Sequence, residues 1–169
     1  MQGNTFKSKV LADGKIVIVT GSNCGIGKET VRDLAHRKAT IYMVCRDIQK
    51  CEEARKEIIL ETKNRNIFCR ECDLSSQQSI RNFVKRFKAE QSRLDILINN
   101  AGVMRCPRSV TKEGIELQLG VNHIVRIDFC LLIILLNNDK FALILGSLLD
   151  YKFAVRLFEG FFSISYCQC

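Results

Sequence analysis

The residues most able to do chemistry lie at 20–27: Thr20-Gly21-Ser22-Asn23-Cys24-Gly25-Ile26-Gly27. They follow an apolar run, Lys15-Ile16-Val17-Ile18-Val19, and lead into a helical pattern at Lys28-Glu29-Thr30-Val31. Closely spaced glycines let a backbone turn tightly and approach a pyrophosphate. The free N–H groups and the dipole of the new helix then favour the anion. A second spacing, Cys69-Arg70-Glu71-Cys72, has the form of half a zinc site. Zinc needs another ligand pair, and the only other close pair is Cys167-Gln168-Cys169 at the terminus. Two strand-end cysteines are therefore expected, and no metal.

The cradle must be held by a strand before it and a helix after it. Lys15–Thr20 reads as a buried strand and Gly25–Lys38 as a helix with Ile26, Val31, Leu34 and Ala35 on one face. Thr40–Cys45 is a second strand. Asp47 caps a helix from Ile48 to about Thr62. Asn66–Glu71 is a third strand. Ser75 or Ser76 caps a helix with Ile80, Phe83, Val84 and Phe87 on its apolar face. Leu94–Ile98 is a fourth strand, and Thr111 is expected to cap a helix beginning near Lys112. Alternating β and α elements with apolar strands predict a parallel sheet covered on both faces. Its ligand belongs beyond the C-terminal ends of the strands, where the glycine loop lies.

At 169 residues, 47% hydrophobic and 26% charged, the chain has the size and composition of one globular domain. Its net charge of +8 divides into +9 over residues 1–126 and −1 over 127–169. The basic part is either a solvated surface or an attractor for a phosphate-rich ligand. Nucleic acid is disfavoured, because no basic run carries interleaved aromatics. Nine cysteines, several within apolar patterns (Cys45, Cys69, Cys130), read as reduced small hydrophobes. With a polar N-terminus lacking a signal peptide, this points to a reducing, cytoplasmic compartment. Residues 127–169 contain 28 apolar side chains among 43, in runs too short for the ~20 residues of a membrane span. A buried helix with a fifth strand, or a membrane-seeking tail, both fit that pattern.

Thr20–Gly27, Asn99-Asn100-Ala101-Gly102 and Val121-Asn122-His123 stand in the order and spacing of the short-chain dehydrogenase/reductase family, which the chain resembles from about Asp13 to His123. The phrases Cys45-Arg46-Asp47, 94–104 and 114–123 are similar to the retinol dehydrogenase-like branch. The resemblance implies an α/β, Rossmann-like doubly wound parallel sheet, truncated here after about the fifth strand. Residues 1–126 then form the dinucleotide-binding part, and 127–169 a divergent apolar segment packing on the same domain. Gly21, Gly25 and Gly27 would shape the pyrophosphate loop, and Ser22, Asn23 and Ile26 would line it. Asp73, with Leu74 beside it, matches the carboxylate that accepts from the adenine amino group. Asn99, Ala101 and Gly102 match the turn beside the adenosine. An acidic residue at the end of the second strand would repel a 2′-phosphate. This chain has Cys45 and then Arg46, whose guanidinium can pair with that phosphate through two bonds. NADP(H) is therefore favoured over NAD(H), although a surface arginine without a ligand gives the same sequence.

Hydride transfer between alcohol and carbonyl in this family uses Ser, Tyr and Lys with a supporting Asn. Tyr and Lys stand four apart on a helix, where the cation lowers the phenol pKa from ~10. Asn122 matches the relay asparagine, and Ser147 fits the serine by position or is a plain strand-end residue. No Tyr-x-x-x-Lys occurs anywhere in the chain. The expected function is thus that of an NADP(H)-dependent oxidoreductase by descent, acting on a lipophilic alcohol or carbonyl, and impaired or inactive in this chain. A non-catalytic dinucleotide-binding module, or a truncated product without stable function, is the alternative. A homo-oligomer, and peripheral membrane contact through the apolar tail, remain open as partners.

Overall fold

Four β-branched or aliphatic runs form the strands β1 (Ile16–Thr20), β2 (Thr40–Cys45), β3 (Ile67–Glu71) and β4 (Ile96–Ile98). The computed structural model describes residues 10–124, Phe129 and 142–144. A further strand, β5 (Ala142–Ile144), pairs with β4. All pairings are parallel, in the order β3-β2-β1-β4-β5. The crossovers are helical: α1 (Gly25–His36), α2 (Ile48–Thr62) and α3 (Gln77–Glu90). After β4 a long loop reaches α4 (Leu117–Leu119), which continues as a π-helical turn over Gly120–Ile124. The chain winds outward from β1 through β2 to β3, then returns to the other side of β1. That reversal opens a crevice at the C-terminal ends of β1 and β4. The doubly wound α/β class expected from the sequence is the one observed.

Strand side chains alternate between two cores. Val17, Val19, Ile41 and Met43 face α1 and α2, meeting Val31, Leu34 and Ile58. Ile18, Tyr42, Val44 and Leu97 face α3, meeting Ile80, Phe83 and Phe87. On that side Phe87 meets Tyr42 edge-on at 5.0 Å, and Phe83 stacks on Phe129 at 5.3 Å. Among the described residues no helix is long and apolar enough to cross a membrane.

Most element starts follow the expected capping chemistry. Lys50 N–H donates to Asp47 Oδ1 at 3.0 Å, and of the two serines it is Ser76 that caps α3. Four expectations need correction. The helix α1 ends at His36, because Lys38 turns left-handed at φ +67° and Ala39 N–H bonds back to Leu34 O at 3.1 Å. Strands β1, β3 and β4 start at Ile16, Ile67 and Ile96, later than read. Thr111 caps no helix. Gly114 at φ +80° closes a turn, with Thr111 Oγ1 accepting from Glu113 N–H and Ile115 N–H, and α4 begins only after Glu116. Cys69 is no free thiol: it is disulfide-paired with Cys51, because α2 carries Cys51 across β3 with a Cα–Cα distance of 6.1 Å.

Charges tie the layers at their rims. Arg32 on α1 binds Glu57 and Glu61 on α2 at 2.7 and 2.8 Å. On the other side Arg70 of β3 meets Glu90 of α3 at 2.5 Å, its guanidinium 5.3 Å from the Tyr42 ring. The hydrogen bond from Arg70 holds the Glu90 carboxyl below the usual range, with burial opposing. A carboxyl with a lower pKa folded than unfolded stabilises the fold above its unfolded value, ~4.3, and loses this as pH falls through the folded value. Glu90→Gln is therefore expected to lower the urea midpoint at neutral pH, with the gap to the parent closing in acid. A gap independent of pH would mean that the charge contributes nothing.

Candidate functional site

The turn that leaves β1 is shaped by what cannot fit in it. Gly21 has φ +62°, and a Cβ there would lie 2.8 Å from Ala101 Cα. A Cβ on Gly27 would lie 2.4 Å from Gly21 O and 2.5 Å from Asn100 Nδ2. Both glycines are thus required by close backbone approach, and Gly25 by its φ of +56°. Ser22 is buried, its Oγ donating to Val19 O at 3.0 Å. Cys24 stands at the N-cap of α1 without a side-chain cap, and no acid occupies the first turn. The first amides of α1 keep their capacity for an anion. Asn23 is half-buried and Ile26 is exposed over the loop.

The end of β4 is stitched to this turn. Asn100 Nδ2 donates to Thr20 O and Gly21 O, each at 3.0 Å. Ala101 N–H donates to Thr20 Oγ1 at 3.0 Å. Asn99 is buried, Ala101 half-buried and Gly102 exposed. Further on, Asn122 Oδ1 accepts from Val103 N–H at 2.8 Å and its Nδ2 donates to Val103 O at 2.7 Å. The amide therefore clamps the exit from β4 onto the π-helical turn.

On the far side of β1, Cys45 ends β2 as a buried thiol 3.6 Å from Ser22 Oγ, and burial pushes its pKa up. Arg46 is exposed with no ion pair among the described residues. Asp47 is occupied, with Oδ1 on Lys50 N–H and Oδ2 3.6 Å from Lys50 Nζ, and the backbone bond holds its carboxyl below the ordinary range. Asp73 follows β3. Its Oδ1 accepts from Ser75 N–H at 2.9 Å and Ser75 Oγ at 2.7 Å, and Leu74 is half-buried beside it.

The glycine loop, Arg46, Asp73 with Leu74, the Asn99–Gly102 turn and Asn122 all lie at the C-terminal edge of the sheet, because each follows a parallel strand or is bonded to a residue that does. Ser147 lies outside the described residues. Sequence reasoning missed Thr20 and Asn100 as the residues that join the two turns, although both stand within the spans it singled out. Of the tyrosines, Tyr42 is buried in β2 and accepts from Gln91 Nε2 at 2.8 Å. Burial raises its pKa, away from neutrality. Tyr151 and Tyr166 lie outside the described residues.

A family model described as short chain dehydrogenase matches residues 15–129. Retinol dehydrogenase 12 of Homo sapiens is 52% identical over 122 residues, 72% of this chain and 39% of that protein. Retinol dehydrogenase 11 of Mus musculus is 53% identical over 117 residues, 69% of this chain and 37% of that protein. The chain thus spans well under half the length of these curated relatives. A solved metagenomic short-chain oxidoreductase in complex with NADP aligns at 25% identity with a TM-score of 0.62, over 73% of this chain and 57% of that one.

The geometry predicts that Gly27→Ala displaces the first turn of α1, since its Cβ meets backbone that has no room to retreat. Overpacking of this kind costs about 1–3 kcal/mol, measurable as a lower denaturant midpoint. An unchanged midpoint would show that the loop has slack.

Proposed function

The chain belongs to the short chain dehydrogenase family, and on that premise we propose that it holds NADP(H) across the C-terminal ends of β1 and β4. It is related to the retinol dehydrogenases, and oxidoreduction is the family's chemistry. The observation that carries the reading is the cradle itself. Two glycines whose Cβ atoms would collide with backbone lead directly into an uncapped, acid-free helix N-terminus. Those features fit a pyrophosphate.

Arg46 supports the 2′-phosphate. It is exposed and lacks an ion pair among the described residues, while its acidic neighbour Asp47 is occupied in capping α2. No carboxylate stands at the end of β2, where the buried Cys45 sits. Asp73 engages its Ser75 partner through Oδ1, which leaves Oδ2 to accept from an adenine amino group. Ser22, Asn23 and Ile26 would line the phosphates, and Asn99, Ala101 and Gly102 the adenosine. A bound nicotinamide supplies or accepts the hydride. The chain's own residues have to place it and handle the proton.

For proton handling the 169 residues offer no Tyr-x-x-x-Lys. Asn122, the relay asparagine of the resemblance, has both amide atoms engaged by Val103. The reading for this chain is therefore dinucleotide binding with little or no turnover. The identity of more than 50% to retinol dehydrogenases favours a lipophilic alcohol or carbonyl as the substrate class wherever turnover is restored.

Titration of the purified chain with NADPH, followed by nicotinamide fluorescence, tests this. Saturable binding is expected. Gly21→Asp should abolish it, and Arg46→Ala should weaken NADPH about 10–100-fold while leaving NADH unchanged, the usual range for a charge-assisted contact. Equal losses for NADPH and NADH would remove the 2′-phosphate assignment. No binding by folded protein would sink the whole reading.

A further inference from the structure

Among the described residues Cys51 and Cys69 are joined by a disulfide, while Cys24, Cys45, Cys72 and Cys106 are free thiols. The bond connects two elements that each lead to one arm of the crevice. Cys51 ends the first turn of α2, where its N–H donates to Asp47 O at 3.1 Å, and Arg46 stands directly before that cap. Cys51 is the one fully buried side chain of this turn, with Ile48 partly buried beside it. The next buried anchors of α2, Ala54 and Ile58, lie one and two turns further on. Cys69 is in the middle of β3, in register with Met43 of β2, and Asp73 follows four residues later. In the sheet β3 is an edge strand, paired with β2 alone. The disulfide is thus a covalent bridge between the turn that presents Arg46 and the strand that leads to Asp73.

We propose that the Cys51–Cys69 pair is a redox-controlled clamp on the adenosine end of the crevice. This rests on the dinucleotide reading, in which Arg46 meets the 2′-phosphate and Asp73 the adenine. Oxidised, the bond fixes the spacing of the two arms. Reduced, the first turn of α2 keeps only noncovalent contacts, and the edge strand parts from it at the expense of a single ladder. Two thiols of a reductant such as glutathione supply two electrons and two protons. The S–S bond breaks, Cys51 and Cys69 become thiols, and glutathione disulfide leaves; the same disulfide reverses the step. Exchange within the chain does not compete. Cys45 shares the core of the pair, but burial pushes its thiol pKa up. Cys72 faces the other core, and burial pushes its thiol up to about 12. Neither supplies the thiolate that attacks a disulfide at neutral pH.

The full chain is prepared oxidised with glutathione disulfide and reduced with dithiothreitol, and alkylation with peptide mass reads the state of Cys51 and Cys69. Each form is titrated calorimetrically with NADPH and with 2′,5′-ADP, which carries the adenine and the 2′-phosphate without the nicotinamide. Reduction is expected to weaken both ligands by the same factor, at least about fivefold, the lower end of the range for coupling between sites. Cys51→Ala and Cys69→Ala should bind like the reduced parent in either buffer. Circular dichroism checks folding, and the reduced parent carries the comparison where a variant does not fold. A urea midpoint lowered by reduction with affinity unchanged would make the bond a structural staple and overturn the clamp. Weakening of NADPH alone would overturn it by placing the effect away from the adenosine, and redox dependence that persists in Cys51→Ala by assigning it to another thiol. Equal binding in both states would leave the dinucleotide reading standing and remove only the clamp. Binding of neither ligand in either state, by folded protein, would remove that reading and the clamp with it.

Discussion

Everything at the crevice depends on how closely two backbones meet, the turn after β1 and the turn after β4. Gly21 has no room for a Cβ because Ala101 lies against it, and Gly27 has none because Gly21 O and the Asn100 amide do. Parallel neighbours bring two strand ends side by side, but their last carbonyls then have no ladder partner. Asn100 supplies one amide to two of them, Thr20 O and Gly21 O. The unfavourable alternative, a buried carbonyl left unsatisfied, is what makes the joint firm. A single side chain thereby fixes the shape of a loop nearly eighty residues away in sequence.

The distribution of charge follows the same economy of partners. Asp47 caps α2, Glu113 and Glu116 hold amides of α3 and α4, and Glu57 and Glu61 bind Arg32. A carboxylate that caps a helix keeps its charge, and the backbone bonds hold the Asp47 and Glu116 carboxyls below the ordinary range. Arg46, Arg105, Arg108 and Lys112 are exposed at that edge beside these acids, in a chain of net charge +8.

Much of this was legible in the sequence. Strands of consecutive β-branched residues, a helix face at Ile80, Phe83, Val84 and Phe87, and caps at Asp47 and Ser76 are local signals, and each holds. The glycine loop was legible because its spacing is itself the constraint. What escaped was tertiary. Thr111 has the residue type of a cap, yet Gly114 three positions on favours a turn, and the bond from Lys112 N–H to Ser75 O ties that turn to a residue far off in sequence. Cys51 and Cys69 each fit an apolar pattern, so neither announces a partner 18 residues away. Asn100 was read as part of a phrase rather than as a donor, because its acceptors are on another strand.

Holding a dinucleotide and exchanging a proton make separate structural demands. A dinucleotide cradle needs backbone shape, a helix terminus and a few fixed polar groups. Proton exchange needs a phenol whose pKa is pulled toward neutrality by a nearby cation. Tyr42 illustrates the opposite case. It lies in β2 between Phe68 and Phe87, with Arg70 over its ring, and burial outweighs the cation and raises its pKa. Its hydroxyl accepts from Gln91 on the α3 side of the sheet, so it serves the aromatic core. The same residue type and the same kind of neighbour thus give packing in one setting and proton transfer in another. The deciding quantity is whether solvent or substrate can reach the oxygen, which in β2 they do not.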